Sequence, residues 1–168
     1  FKHIVLLLLM TVTAWSAVSL EIQNADTDAG TLDIYMSNLS HCEYWEESNL
    51  VIDENMSETD CGSNIGEWFN GEVGGFQFEL IGITITDATA PTGFLVSTSA
   101  STVLAFSLTG ATIPPGEGIL TQVYFNNFEG ESICFGDDTG SSGGTAISDG
   151  YANYLAANWG DCYCESYT

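Results

Sequence analysis

The chain has 168 residues, 45% of them hydrophobic, and sets 23 acidic side chains against a single basic one, Lys2, for a formal net charge of −22. That length and apolar content suit one domain around one core. A nucleic-acid partner is excluded, because neutralising phosphates takes clustered Lys and Arg and none follows residue 2. An anionic membrane surface is disfavoured on the same ground.

The segment Phe1-Lys2-His3 precedes an apolar run from Ile4 to Met10 and small residues up to Ser16. Basic, then apolar, then small is the pattern of a secretory signal peptide, with cleavage expected after Ser16. Residues 1–16 are therefore expected to be an apolar leader, either removed on export or kept as a segment that a neighbouring subunit buries. Residues 17–168 are expected to form the folded domain. Export makes disulfides the default for the five cysteines, and Cys162-x-Cys164 with so few histidines does not show zinc spacing.

Val18 to Gln23 alternates as a strand, Asn24 to Gly30 turns the chain, and Thr31 to Ser37 returns, which makes a hairpin. In its turn Asn24, Asp26 and Asp28 place oxygen-bearing side chains at alternate positions, a spacing that calcium loops use, and calcium is the expected cation there. The same residue types also favour turns for local backbone reasons. Asp137-Asp138 is a second candidate. Residues 38–72 break the alternation and read as an inserted loop, which a Cys42–Cys61 bridge would hold. Two glycosylation sequons lie beside or within it, at Asn38-Leu-Ser40 and Asn55-Met-Ser57.

Alternation resumes at Val73, with Phe76, Phe78 and Leu80 on one face and Gln77 and Glu79 on the other. Further strands are expected over Ile83 to Thr86, Phe94 to Thr98, Thr102 to Thr109, Ile119 to Asn126 and Ser132 to Phe135. Turns such as Ile113-Pro-Pro-Gly-Glu-Gly118 separate them. Regular short strands with such turns indicate an all-β sandwich. Asp137 to Gly144 is a Gly/Ser-rich loop, and Tyr151 to Tyr163 returns to aromatic and apolar residues.

The strand Val73-Gly-Gly-Phe-Gln-Phe-Glu-Leu80 and the later Gly118-Ile-Leu-Thr-Gln-Val-Tyr-Phe125 resemble those of the cohesin-type β-sandwich, over about residues 18 to 135. The tail, with Cys134 and then Gly160-Asp161-Cys162, is similar to secreted cohesin-like modules in which those two cysteines pair. The resemblance implies a jelly-roll sandwich, a Cys134–Cys162 bridge that leaves Cys164 free or joined to another chain, and a dockerin partner bound through one sheet face, calcium being held by the dockerin. The long cysteine-bearing insert departs from that pattern.

Catalysis is not expected. His41 is the sole histidine beyond residue 3, and with no Lys or Arg after residue 2 neither a triad nor an oxyanion clamp can be built. The leading expectation is a structural subunit of an extracellular filament or surface assembly, associating with copies of itself, with cations offsetting the like charge at its interfaces. The alternative is a monomeric cohesin-like recognition module for a dockerin or a glycan.

Overall fold

The computed structural model describes residues 18–64, 66–128, 130–140 and 144–165; the expected leader over residues 1–16 lies outside them. In chain order the elements are β1 (Val18–Asp26), β2 (Thr31–Ser37), β3 (His41–Glu46), β4 (Asn49–Asp53), the short helix α1 (Glu58–Ser63) and β5 (Glu67–Phe69). There follow β6 (Gly75–Ile81), β7 (Thr84–Ala88), β8 (Leu95–Thr98), β9 (Thr102–Phe106) and β10 (Glu117–Asn126). The last are β11 (Ser132–Phe135), β12 (Ala146–Ser148), β13 (Tyr154–Leu155), β14 (Ala157–Trp159) and β15 (Tyr163–Cys164).

Two sheets carry the body. The first has the order β14-β1-β2-β10-β7, antiparallel except for β14, which lies parallel to β1. The second is built on β6: β9 and then β8 extend one edge, while the other edge is shared between β12 along its first half and β11 along its second. β13 and β15 complete it. The protein is an all-β sandwich, as the alternation requires.

Period-2 burial makes the core. Phe76, Phe78 and Leu80 of β6 are at most 2% exposed, as are Leu20, Leu32, Ile34, Val103, Val123, Ile133 and Ile147 from the strands around them. In β10 the register shifts between Ile119 and Thr121, so that Leu120 and Thr121 are both buried. Past this bulge Val123 and Phe125 point inward and Gln122 and Tyr124 outward, and the Thr121 hydroxyl is satisfied by the Thr89 carbonyl at 2.8 Å. The opening hairpin closes at Gly30, whose φ of +69° is left-handed and where a Cβ would collide with the Phe125 carbonyl oxygen.

Residues 38–72 are more than the expected loop. They fold into a small sheet of order β4-β3-β5 backed by α1, and the Cys42–Cys61 disulfide ties the helix to β3. Ser57 caps the helix, its Oγ accepting from the Asp60 N–H at 3.2 Å. His41 is buried in this insert, with Nδ1 3.0 Å from the Leu39 carbonyl, Nε2 3.0 Å from Glu43 Oε1, and its ring against Phe69. Its role there is to anchor β3. The second disulfide joins Cys134 of β11 to Cys162, next to β15, and Cys164 is a free, exposed thiol.

Candidate protein-binding face

Inward-facing residues fix what the opposite parity shows to solvent. On the outer face of the second sheet the register sets Leu95 of β8 against Phe106 of β9, Phe106 against Gly75 of β6, Gly75 against Ser148 of β12, and Ser148 against Tyr154 of β13. One step along, Ser97, Leu104, Gln77 and Ala146 form the next row. Leu95 is 51% exposed, Phe106 38% and Tyr154 47%. Gly75 leaves a dip between Phe106 and Ser148, and a hollow of about 260 Å³ runs over it, walled by Leu104, Phe106 and Tyr154. We call this surface the shelf. Beyond its end Leu108 and Tyr151 are also exposed. These exposed apolar side chains make the shelf the candidate interaction surface of the second sheet.

Tyr154 is held in place. Its hydroxyl donates to Asp138 Oδ2 at 3.0 Å, the Trp159 Nε1–H donates to the same oxygen at 2.7 Å, and the Gly140 N–H donates to Oδ1 at 2.8 Å. One carboxylate thereby clasps β13 of the second sheet to β14 of the first. Burial, and then the hydrogen bond to and charge of Asp138, push the Tyr154 phenol above its ordinary pKa. At the turn between β12 and β13, Asp149 accepts from the Tyr151 and Asn153 N–H groups and from the Asn153 side chain, each at 2.8 Å. Burial raises its carboxyl pKa, but these hydrogen bonds outweigh it and hold the group below the usual value.

The outer face of the first sheet is of another kind. Asp33, 7% exposed, accepts from Asn24 Nδ2 at 2.9 Å and from Gln122 Nε2 at 3.1 Å, and Tyr124 donates to Gln122 Oε1 at 2.9 Å. Its polar groups hydrogen-bond to one another, with Ile119 exposed near the start of β10.

The residues singled out from sequence meet different fates. Asn24 turns its amide to Asp33, and Asp26 Oδ1 accepts from the Asp28 and Ala29 N–H groups, so these residues shape the turn. Among the described residues no group of three or more His, Cys, Asp or Glu side chains is placed to hold a metal ion. Asp138 supports Tyr154 and Trp159. Asn38 is 2% exposed and its amide donates to the Gly71 and Pro114 carbonyls, an arrangement at odds with the glycan expected there. Asn55 lies exposed in the turn before α1. The bridges Cys42–Cys61 and Cys134–Cys162 are both formed. The shelf residues Leu95, Leu104, Phe106 and Tyr154 were not legible as a site. The one signal in β9 is that its bulkier side chains, Leu104 and Phe106, share a parity opposite to Val103 and Ala105.

No protein-family model matches the chain, and no curated protein matches it in sequence. Among solved structures the chain is similar to one in the crystal structure of a CaDoc0917–CaCohA2 complex at pH 5.5, a cohesin–dockerin complex, at 14% identity and a TM-score of 0.45. The match covers 84% of this chain and 93% of that one.

Proposed function

We propose that this chain is an extracellular recognition module that binds a protein partner through the shelf. The observation that carries this reading is the row of outward apolar side chains, Leu95, Leu104, Phe106 and Tyr154, on a sheet whose core is already complete beneath it. Buried aromatic and aliphatic anchors provide most of the energy of protein recognition. Two disulfides accord with an oxidising compartment. Because Asp138 clasps Tyr154, the shelf is pre-organised, which lowers the entropic cost of binding.

A dockerin is the partner kind we favour, on the sequence resemblance described above. A different molecule suits the shelf better than another copy of this chain, because none of residues 18–168 is Lys or Arg and two acidic copies would bring like charges together. Filament formation with copies of itself is thus the second outcome of the test. Calorimetric titration with a purified dockerin module, alongside sedimentation of the chain alone, separates the two. Saturable binding that Leu104→Asp abolishes without lowering the melting temperature supports the shelf. Binding unchanged in that variant, or sedimentation as polymers through another surface, overturns it.

A further inference from the structure

We propose that β4, the outer strand of the insert, is a dimerisation edge at which two copies of this chain pair antiparallel about Val51. The inference goes beyond the shelf and does not depend on it.

The sandwich closes its own flanks, because β7 lies against β8 and the Asp138 clasp joins β13 to β14. In the insert, β4 pairs with β3 alone. The turn between these two strands is Glu47-Ser48, with φ of +48° and +79°, a two-residue turn whose closing pair, here Glu46 and Asn49, is a hydrogen-bonded one. Counting on from that pair, Asn49, Val51 and Asp53 bond to β3, and the N–H and C=O groups of Leu50 and Ile52 point away from it. Among the described residues no other strand or loop backbone takes them up. Edge strands that stay single usually carry Lys, Pro or a bulge. Asn49-Leu-Val-Ile-Asp53 has none of these, and its register with β3 runs without a shift.

The side chains suit a second copy. Leu50 lies opposite Trp45 and Ile52 opposite Glu43, so Trp45, Leu50 and Ile52 share one face of the hairpin, and Trp45 is 71% exposed. One symmetric register uses both outward residues of each chain at once. It sets Leu50 opposite Ile52 of the partner subunit, forms a narrow hydrogen-bonded pair on either side of the two-fold axis, and places Val51 against its own counterpart. Leu50 then stands between Trp45 and the partner's Ile52, in an apolar row that a single chain leaves cut off at its edge. Charge fits the same register. Asp53 meets Asn49 of the partner subunit and, one step on, Glu54 meets Ser48 of the partner subunit, so no acid faces an acid across the junction. A two-fold contact closes on itself, which gives dimers rather than filaments, and it uses none of the shelf residues.

Sedimentation equilibrium of the full chain up to about 1 mM, the range that a small interface requires, should show a reversible monomer–dimer equilibrium. Raising the salt concentration should strengthen it, since the two bodies carry like charge. Ile52→Pro removes one outward N–H per chain and leaves the bonds to β3 in place. It should raise the dissociation constant about tenfold or more with little change in melting temperature. Cross-linking in a Cys164→Ser background reads the register. Val51→Cys meets itself in a non-hydrogen-bonded pair with Cα atoms about 4.5 Å apart and should give a disulfide-linked dimer on mild oxidation, whereas Asn49→Cys, which meets Asp53, should not. A chain that stays monomeric over the whole range, a dimer that folded Ile52→Pro leaves equally strong, or equal cross-linking at positions 49 and 51 overturns the proposal. Should Ile52→Pro fail to fold, the cross-linking pair decides.

Discussion

The two outer faces of this sandwich are made by the same alternation and end up chemically opposite. On the five-stranded sheet the outward positions are filled by Gln122, Asp33, Tyr124 and the neighbouring Asn24, which bond to one another. On the seven-stranded sheet they are filled by the exposed Leu95 and Phe106 and the part-buried Leu104. A face whose polar groups are mutually satisfied has little left to offer a partner. An uncovered apolar face gains free energy when a partner removes it from water, at roughly 25 cal/mol per Å² before the costs of association. Functional assignment on this fold thus turns on what the outward parity carries, since both inward parities only build the core.

Substitutions separate the parities most sharply. Phe78 and Leu104 sit on neighbouring strands, one fully buried and the other outward, one register step apart. Phe78→Ala should lower stability by about 3–5 kcal/mol, the usual cost of emptying an aromatic core position. Leu104→Asp should change it by no more than about 0.5 kcal/mol, as surface substitutions do. Denaturant melts of both variants check this, and a Leu104→Asp loss near that of Phe78→Ala would mean the shelf is core.

A smaller effect is expected for the insert. Replacing Cys42 and Cys61 together by Ala should cost about 2–4 kcal/mol. Hydrogen exchange should show that loss first in β3, β4 and β5, with β6 and β9 protected until global unfolding. Simultaneous loss in the shelf strands would instead join the insert and the sandwich into one cooperative unit. On the polar face, Asp33→Ala leaves the Asn24 and Gln122 amides without their acceptor. Because both amides retain some access to water, the expected cost is about 1 kcal/mol, at the low end for a broken hydrogen-bond pair. Calorimetric melting resolves a change of that size.

How far the sequence foretold this follows from which signals are local. The opening hairpin, β6 and β11 were readable because alternation and turn residues belong to the segments themselves. The insert was read as a loop because His41-Cys-Glu-Tyr-Trp-Glu46 shows no clean alternation. One side of β3 is occupied by a disulfide partner 19 residues away, which no periodicity reports. The parallel pairing of β14 with β1 is likewise a contact between chain ends. Asn24, Asp26 and Asp28 illustrate an ambiguity of residue type, since side chains that ligate calcium also cap backbone N–H groups, as Asp26 does for Asp28 and Ala29. The shelf escaped because Thr102-Val-Leu-Ala-Phe106 is nearly all apolar. Such a run does not say which parity faces the core until β6 and β8 are placed on either side of it.

The smallest expected effect is a pH dependence confined to the shelf edge, and its sign can be worked out from both ends of the scale. Asp149 is held below its ordinary carboxylate pKa by the hydrogen bonds of the β12–β13 turn. Its contribution to stability is therefore present above the unfolded value of 3.8 and is lost as the pH falls through the lower folded value. Tyr154 is raised above its unfolded value of 10.0 by burial and by Asp138, so its contribution is complete below that value and is lost as the pH rises through the folded one. The hairpin should then hold across the neutral range and loosen first at either extreme, acid acting through the turn and alkali through the clasp. Amide signals of residues 148–155, followed by NMR across the pH range, give the measurement. Asp149→Asn should remove the acid limb alone, and Asp138→Asn should bring the Tyr154 phenol back toward its ordinary value and flatten the alkaline limb. If Asp138→Asn leaves the Tyr154 titration where it was, the carboxylate does not set that side chain, and the pre-organisation argued for the shelf falls with it.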